Sequence, residues 1–207
     1  MAQVPQRISI VSPYAIEAAW LPYWDKYRAR TLQAAGVLLF LIAKPRSNFL
    51  FGLGVLLIAG GETLRAWTLG HIQKGRPLFT DGPYRLVRHP LHAGSLAVCC
   101  GFVLLSSSFR HWFSTLLLWG VLAAVFNWYY QEKILMEEHE LLSRFPEEFG
   151  RYRHSVPRLR PNWKRWRQAW ETSQWQPQLF LQHREQKTIW AILGLLFFLR
   201  FKMVYFR

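Results

Sequence analysis

The sequence predicts an all-α protein, a multi-pass transmembrane helical bundle of four to five spans. Three observations carry the prediction. The 207 residues are 51% apolar and include eleven Trp, yet the chain bears a net charge of +14. That pairing is unusual in a soluble domain and common in a small membrane protein with basic loops. Apolar runs of spanning length recur, separated by polar connections, and the cations are crowded into alternate connections. Nucleic-acid binding is the other reading of such charge, but the charge lies between apolar runs and not on one basic domain, so no nucleic-acid partner is expected. Cys99 and Cys100 are adjacent inside an apolar run. They form neither a disulfide framework nor a CxxC pair, and small buried packing residues are expected. No ligand cluster is legible, so no metal is expected. The first thirty residues lack a basic n-region, a continuous h-region and a small-residue cleavage site, so no signal peptide is expected.

Taking the elements in order, Trp20, Tyr23, Trp24 and Tyr27 recur at spacings of three and four and share one face of a helix suited to the headgroup boundary. Residues 31–43 form the first strongly apolar run, which needs residues from about Tyr27 onward to reach spanning length. A turn at 44–48 leads into a second span over 49–67, where Gly52, Gly54, Gly60 and Gly61 permit close helix contact. Glu62 lies near the inner end of that span and is expected to pair with Arg65 one turn later. Residues 91–107 and 112–130 are the third and fourth spans. Beyond the fourth, residues 131–144 are polar but keep helical periodicity through Ile134, Leu135, Leu141 and Leu142, so the helix projects out of the lipid. Pro146 ends it or begins the next turn. Pro157 and Pro161 forbid a long helix, and Asn162 is placed to cap a short amphipathic one carrying Trp163, Trp166 and Trp170. Residues 188–206 are apolar again but interrupted by Arg200 and Lys202. They form a fifth span with snorkelling cations or a segment lying against the bundle.

Counting charges sets the orientation. Twenty Lys and Arg fall before the first span, within 65–88 and within 133–187, against six in the remaining connections. This places the N-terminus and both polar regions in the cytoplasm, facing each other at the lipid boundary. The first region reads FTDGPYRLVRHPLHAG over 79–94. Thr80-Asp81-Gly82-Pro83 is turn chemistry. Pro90 stands where the next apolar run begins, a favoured place for proline at a helix start. A helix opening just after Arg88 and His89 presents free N–H groups and positive charge together, which suits an anion. A basic loop that only sets orientation is the plainer alternative. The second region carries Glu137-Glu138, then Leu141, Phe145, Tyr152 and Val156-Pro157-Arg158.

Together these two regions resemble the isoprenylcysteine carboxyl methyltransferase and phospholipid methyltransferase family. Its pattern is GxYxxxRHPxYxG, a transmembrane pair, then EExxLxxxFGxxYxxYxxxVPRxxP. The resemblance covers roughly residues 69–161. Three positions depart from it: His92 stands for the usual Tyr, Pro146 for Gly, and Phe149 for the first Tyr. It divides the chain into an N-terminal interfacial helix and transmembrane hairpin (1–68), a core with both motifs (69–161), and a C-terminal part without counterpart in the pattern (162–207).

The resemblance implies methyl transfer from S-adenosylmethionine to a lipophilic acceptor, such as an isoprenylcysteine-like carboxylate or a lipid amine, at a cytoplasmic-side cofactor pocket. By carry-over, His89 and the start of the following helix (Pro90, Leu91, His92), next to Arg88, hold the cofactor carboxylate. Glu137 or Glu138 meets its ammonium. Adjacent helical residues point about 100° apart, so only one of the two faces the pocket, and Glu138 is slightly favoured. Tyr84 and the stretch Arg76, Pro77, Leu78 and Phe79 match positions enclosing the adenosine, with Gln73 a weaker match. Lys133, four residues before Glu137, matches the basic residue that meets the substrate carboxylate. It equally reads as an i,i+4 pair with Glu137. Lys133 and Arg144 make up the catalytic assignment. Two other classes compete. Sterol-reductase-like enzymes share the RHP stretch and the VPxxxP tail but use NADPH, and the paired glutamates and LxxxF spacing disfavour them. A non-enzymatic membrane scaffold leaves both clusters unexplained.

Overall fold

The computed structural model describes residues 45–72, 78–183 and 185–205. The aromatic segment around Trp20, Tyr23, Trp24 and Tyr27, the apolar run at 31–43, and Gln73, Arg76 and Pro77 lie outside the described residues. Among the described residues the regular structure is helical with no strand. The helices are α1 (Asn48–Leu69), α2 (Pro90–Ser106), α3 (Trp112–Val125), α4 (Gln131–Arg144), α5 (Pro146–Ser155), α6 (Trp166–Glu171), α7 (Pro177–Gln182) and α8 (Glu185–Tyr205).

Helices α1 and α8 and the continuous stretch Trp112–Arg144 are long and apolar enough to cross a bilayer, while α2 is apolar but shorter. Phe49, Leu56, Trp112, Trp190 and Phe197 are 69–75% exposed, and among the described residues α3 has none buried. Such a surface is an aggregation liability in water and is well solvated by acyl chains. The chain is an integral membrane protein. Cys99 departs from expectation: it is exposed, with Cys100 half-buried, and both thiols are free. In a helix bathed by lipid, an apolar outward position satisfies a thiol as well as a core does.

Helices α1 and α2 touch backbone to backbone through two reciprocal glycine pairs. A Cβ on Gly54 would meet the Gly101 carbonyl at 2.7 Å, and one on Gly61 the Gly94 carbonyl at 2.7 Å. The pairs are seven residues apart on each helix, two turns along one face. Gly52 and Gly60, also expected to serve contact, face open space. Alanine at Gly61 or Gly101 is therefore expected to cost about 1–3 kcal/mol by overpacking. Alanine at Gly52 or Gly60 is expected to be neutral or slightly stabilising, since glycine is a poor helix former. Thermal melts in detergent check this contrast, and equal melts for all four variants would refute the packing.

Polar contacts tie the bundle at both ends. Glu62 pairs with Arg65 at 3.2 Å, as expected. Arg65 also reaches Glu185 at the start of α8 and the Ser95 hydroxyl on α2. At the other end the Arg200 guanidinium donates to Asn48 Oδ1 at 2.7 Å and lies over the Phe51 ring. Helix α8 thus runs antiparallel to α1. Arg200 is held by a neighbouring helix, in a segment expected either to span with snorkelling cations or to lie against the bundle. Arg46 contacts His111 at 2.8 Å, so residues 46–48, 108–111 and 200–205 share one end. The other end gathers 69–72, 78–90 and 131–183, the described parts of the two polar regions.

Between α3 and α4 a π-helical turn, Phe126–Tyr130, carries the helix without a break from the apolar run into the polar one. Pro146 then opens α5, where its missing N–H costs nothing. The Asn162 side chain accepts from the Lys164 N–H, as its place in the sequence predicts. The tryptophan segment it caps is a short helix, as expected. It folds as a single 3₁₀ turn followed by α6, with Trp67 of α1 packed edge-on against Trp166 and close to Trp170.

Candidate functional site

The RHP segment is held between its own turn and the C-terminal polar region. Gly82 adopts φ +58°, and a Cβ there would meet His71 Nε2 at 2.7 Å, so both conformation and space demand glycine. The 3₁₀ turn Gly82–Arg85 delivers Leu86 and Val87 into full burial against Ala169, Trp67 and Ala93. The following backbone pairs with the VPRLRP segment. Arg88 N–H donates to the Pro157 carbonyl at 2.8 Å, His89 N–H to that of Arg158 at 3.2 Å, and Asn162 N–H to that of Leu86 at 2.9 Å. The Tyr152 hydroxyl adds a bond to the Tyr84 carbonyl at 2.7 Å. The two motif halves are therefore one structural unit.

Glu138 is the electrostatic centre of that unit. Its carboxylate accepts from Arg158 Nε and Nη2 at 3.1 and 2.8 Å, from Arg88 Nη1 at 2.8 Å, and lies 3.1 Å from His89 Nε2. A two-pronged arginine–carboxylate pair with a second guanidinium leaves little acceptor capacity for a ligand. Glu137, one residue earlier, turns the other way. Its carboxylate lies 3.4 Å from His89 Nδ1 and 3.8 Å from His92 Nε2, in the wall of a cavity of about 380 Å³. Only one of the two faces the cavity, as helical geometry requires, and it is Glu137 rather than the slightly favoured Glu138.

The same wall holds Leu78, Phe79, Tyr84, Arg88, His89, Pro90, Leu91, His92 and Arg144. The Phe79 and Tyr84 rings stack at 6.0 Å. Burial above all, helped by the Glu137 charge, pushes the Tyr84 phenol far above its usual range, so it stays a hydrogen-bond donor. Lys133 is exposed and absent from the wall, although its charge acts on Glu137 and His92. Arg144 reaches the rim and pairs with Glu140 at 2.7 Å. The cavity also uses Ile72, Glu140, Leu141, Phe145, Phe149 and Tyr152, none of them assigned a role from sequence. The signal was present for Leu141, Phe145 and Tyr152, which are positions of the second motif itself. No side chain caps α2, and Pro90 occupies its first turn, so the helix N-terminus stands at the cavity wall with its own N–H groups.

The "Cobalt-zinc-cadmium resistance protein CzcN" of Cupriavidus metallidurans is 33% identical over 117 residues, 56% of this chain and 50% of that protein. The chain thus spans about half the length of that curated relative. No solved structure matches the chain. Residues 50–140, which run from α1 through both glutamates of α4, match the family model described as phospholipid methyltransferase. That match covers somewhat less than half of the chain and likens it to the phospholipid methyltransferase family.

Proposed function

We propose that the chain is an integral membrane methyltransferase that takes its methyl group from S-adenosylmethionine and delivers it to a lipophilic acceptor. The observation that carries this reading is the pairing of opposite ligand chemistries on one cavity: Glu137, a carboxylate, beside His89 and the uncapped start of α2. The amino-acid end of the cofactor is a carboxylate and an ammonium, and this donor set fits both. The volume is within the usual range for a small-molecule site, roughly 300–1,000 Å³.

When bound, the cofactor supplies a sulfonium methyl that is already activated for transfer. The protein's part is placement. His89 and the first turn of α2 hold the carboxylate, where the helix dipole favours negative charge. Glu137 holds the ammonium. Tyr84, with Phe79 stacked on it, encloses the adenosine side together with Leu78. Leu141, Phe145 and Phe149 keep the remaining wall apolar, which excludes water and accepts a lipid chain. Holding the acceptor in line contributes roughly 7–11 kcal/mol of barrier lowering without any covalent intermediate. Arg144 at the rim and Lys133 beyond it are the cations available to an anionic acceptor, an isoprenylcysteine-like carboxylate; a lipid amine needs neither. The charge asymmetry supports a cytoplasmic site.

Binding measurements in lipid nanodiscs test the reading. S-adenosylmethionine is expected to bind and NADPH is not, and the reverse result would move the chain to the reductase class. Transfer of labelled methyl to extracted lipids or to prenylcysteine analogues then assigns the acceptor.

A further inference from the structure

His89 and His92 are three residues apart across the start of α2, and Glu137 faces them from α4. The two imidazole rings stand perpendicular with centroids 5.7 Å apart. One ligand atom from each of the three residues lies within 4.8 Å of the others, and both histidines are buried. In a tetrahedral zinc site, bonds near 2.0–2.1 Å put ligand atoms about 3.4 Å apart. His89 Nδ1 stands 3.4 Å from Glu137 Oε2 and His92 Nε2 3.8 Å from Glu137 Oε1, so each oxygen of one carboxylate faces an imidazole at about that spacing.

The surroundings of His89 point the same way. Its Nε2 lies 3.1 Å from Glu138 Oε1, a carboxylate already fixed by Arg88 and Arg158. With the ring proton on Nε2 for that bond, the Nδ1 lone pair faces Glu137 Oε2. Two acceptors 3.4 Å apart repel unless positive charge stands between them. A carboxylate behind a histidine is also the arrangement that orients imidazole ligands in metal sites. Two imidazoles and one carboxylate, with the cavity open beside them, form a three-ligand set with a free coordination position.

We propose that His89 Nδ1, His92 Nε2 and Glu137 bind a divalent transition-metal cation of the zinc type. His92 is the residue that departs from the RHPxY pattern, and without it the set falls to two ligands. The site does not depend on the methyltransferase reading. Because His89 and Glu137 also stand at the proposed cofactor subsite, cation binding is measured without cofactor.

The experiment uses the full chain in detergent, stripped with a chelator and titrated calorimetrically with zinc chloride, with His154→Ala as a surface-histidine control. One equivalent is expected to bind the parent and the control. His92→Tyr and Glu137→Gln are each expected to lose at least a hundredfold in affinity while melting like the parent, since even outer partners of metal ligands cost roughly 10–100-fold. No binding to the parent overturns the proposal and assigns the charge between His89 and Glu137 to a proton. Equal binding by parent, His92→Tyr and Glu137→Gln overturns it too, as adventitious surface binding. A parent that binds S-adenosylmethionine but not zinc sinks this site alone, and one that binds zinc but not S-adenosylmethionine sinks the cofactor reading alone.

Discussion

Replacing Glu138 by alanine is expected to destabilise the protein by about 3 kcal/mol, the low end of what a broken buried ion pair costs. The carboxylate is held by three side chains at once, and its removal leaves Arg88 facing Arg158 with no anion between them. Most of the loss comes from Arg88, whose side chain is only 13% exposed. Arg158 is 36% exposed and partly screened by solvent, which keeps the total down. The damage does not stay local. Arg88 and His89 donate their backbone N–H groups to Pro157 and Arg158, so repulsion between the guanidinium groups strains the seam joining the two polar regions. Glu138→Gln keeps the shape and two of the acceptor contacts, so a smaller loss is expected. Glu137→Gln, whose carboxylate is 39% exposed and bound by no arginine among the described residues, should melt near the parent. Chemical denaturation in detergent measures the order, and a Glu138→Ala protein as stable as Glu137→Gln would show that the network holds nothing together.

The order also separates what could be read from the sequence from what could not. Lipid leaves few options: a backbone inside it must satisfy its own hydrogen bonds, so long apolar runs become helices whatever their detailed order. The bundle, the continuous helix through 131–144 and the starts at Pro90 and Pro146 follow from that rule and from proline chemistry. Contacts that depend on rotation about a helix axis do not. Gly54 and Gly61 meet α2 while Gly52 and Gly60 do not, and nothing in the run itself distinguishes them. The choice between Glu137 and Glu138 is the same problem, a 100° rotation settled by where Arg158 arrives from twenty residues away.

The docking of the segment after 161, unlike its helices, could not be read for another reason. Its place on the bundle is set by long-range contacts: Ala169 against Leu86 and Val87, and Trp175 packed on Gly70 with its indole N–H donating to the Ala66 carbonyl. His71 joins the same seam, its Nε2 accepting from the Gln174 N–H at 3.1 Å. The His92 substitution, in contrast, was visible as a departure from the pattern. What it does became visible only when α4 placed Glu137 opposite it.

His89→Ala is expected to weaken S-adenosylmethionine binding about ten- to a hundredfold, with Glu137→Gln in the same range. A hydrogen bond to a charged group contributes roughly 1.5–3 kcal/mol, and each substitution removes one such bond from an end of the zwitterion. Binding does not vanish in His89→Ala, because Arg88 and the N–H groups of the α2 first turn remain at the carboxylate end. The fold survives, since Glu138 keeps both arginines when His89 is lost. The two substitutions should not add. His89 Nδ1 and Glu137 Oε2 are 3.4 Å apart, so each removes part of what orients the other, and the double variant falls short of the summed losses. Calorimetry in nanodiscs with chelator present measures all three, with Glu138→Gln as the comparison whose affinity loss tracks its stability loss. Parent-like affinity in both His89→Ala and Glu137→Gln would remove the cofactor from this cavity. Full additivity would place the two residues on separate parts of the ligand, out of reach of each other, against the geometry of the site.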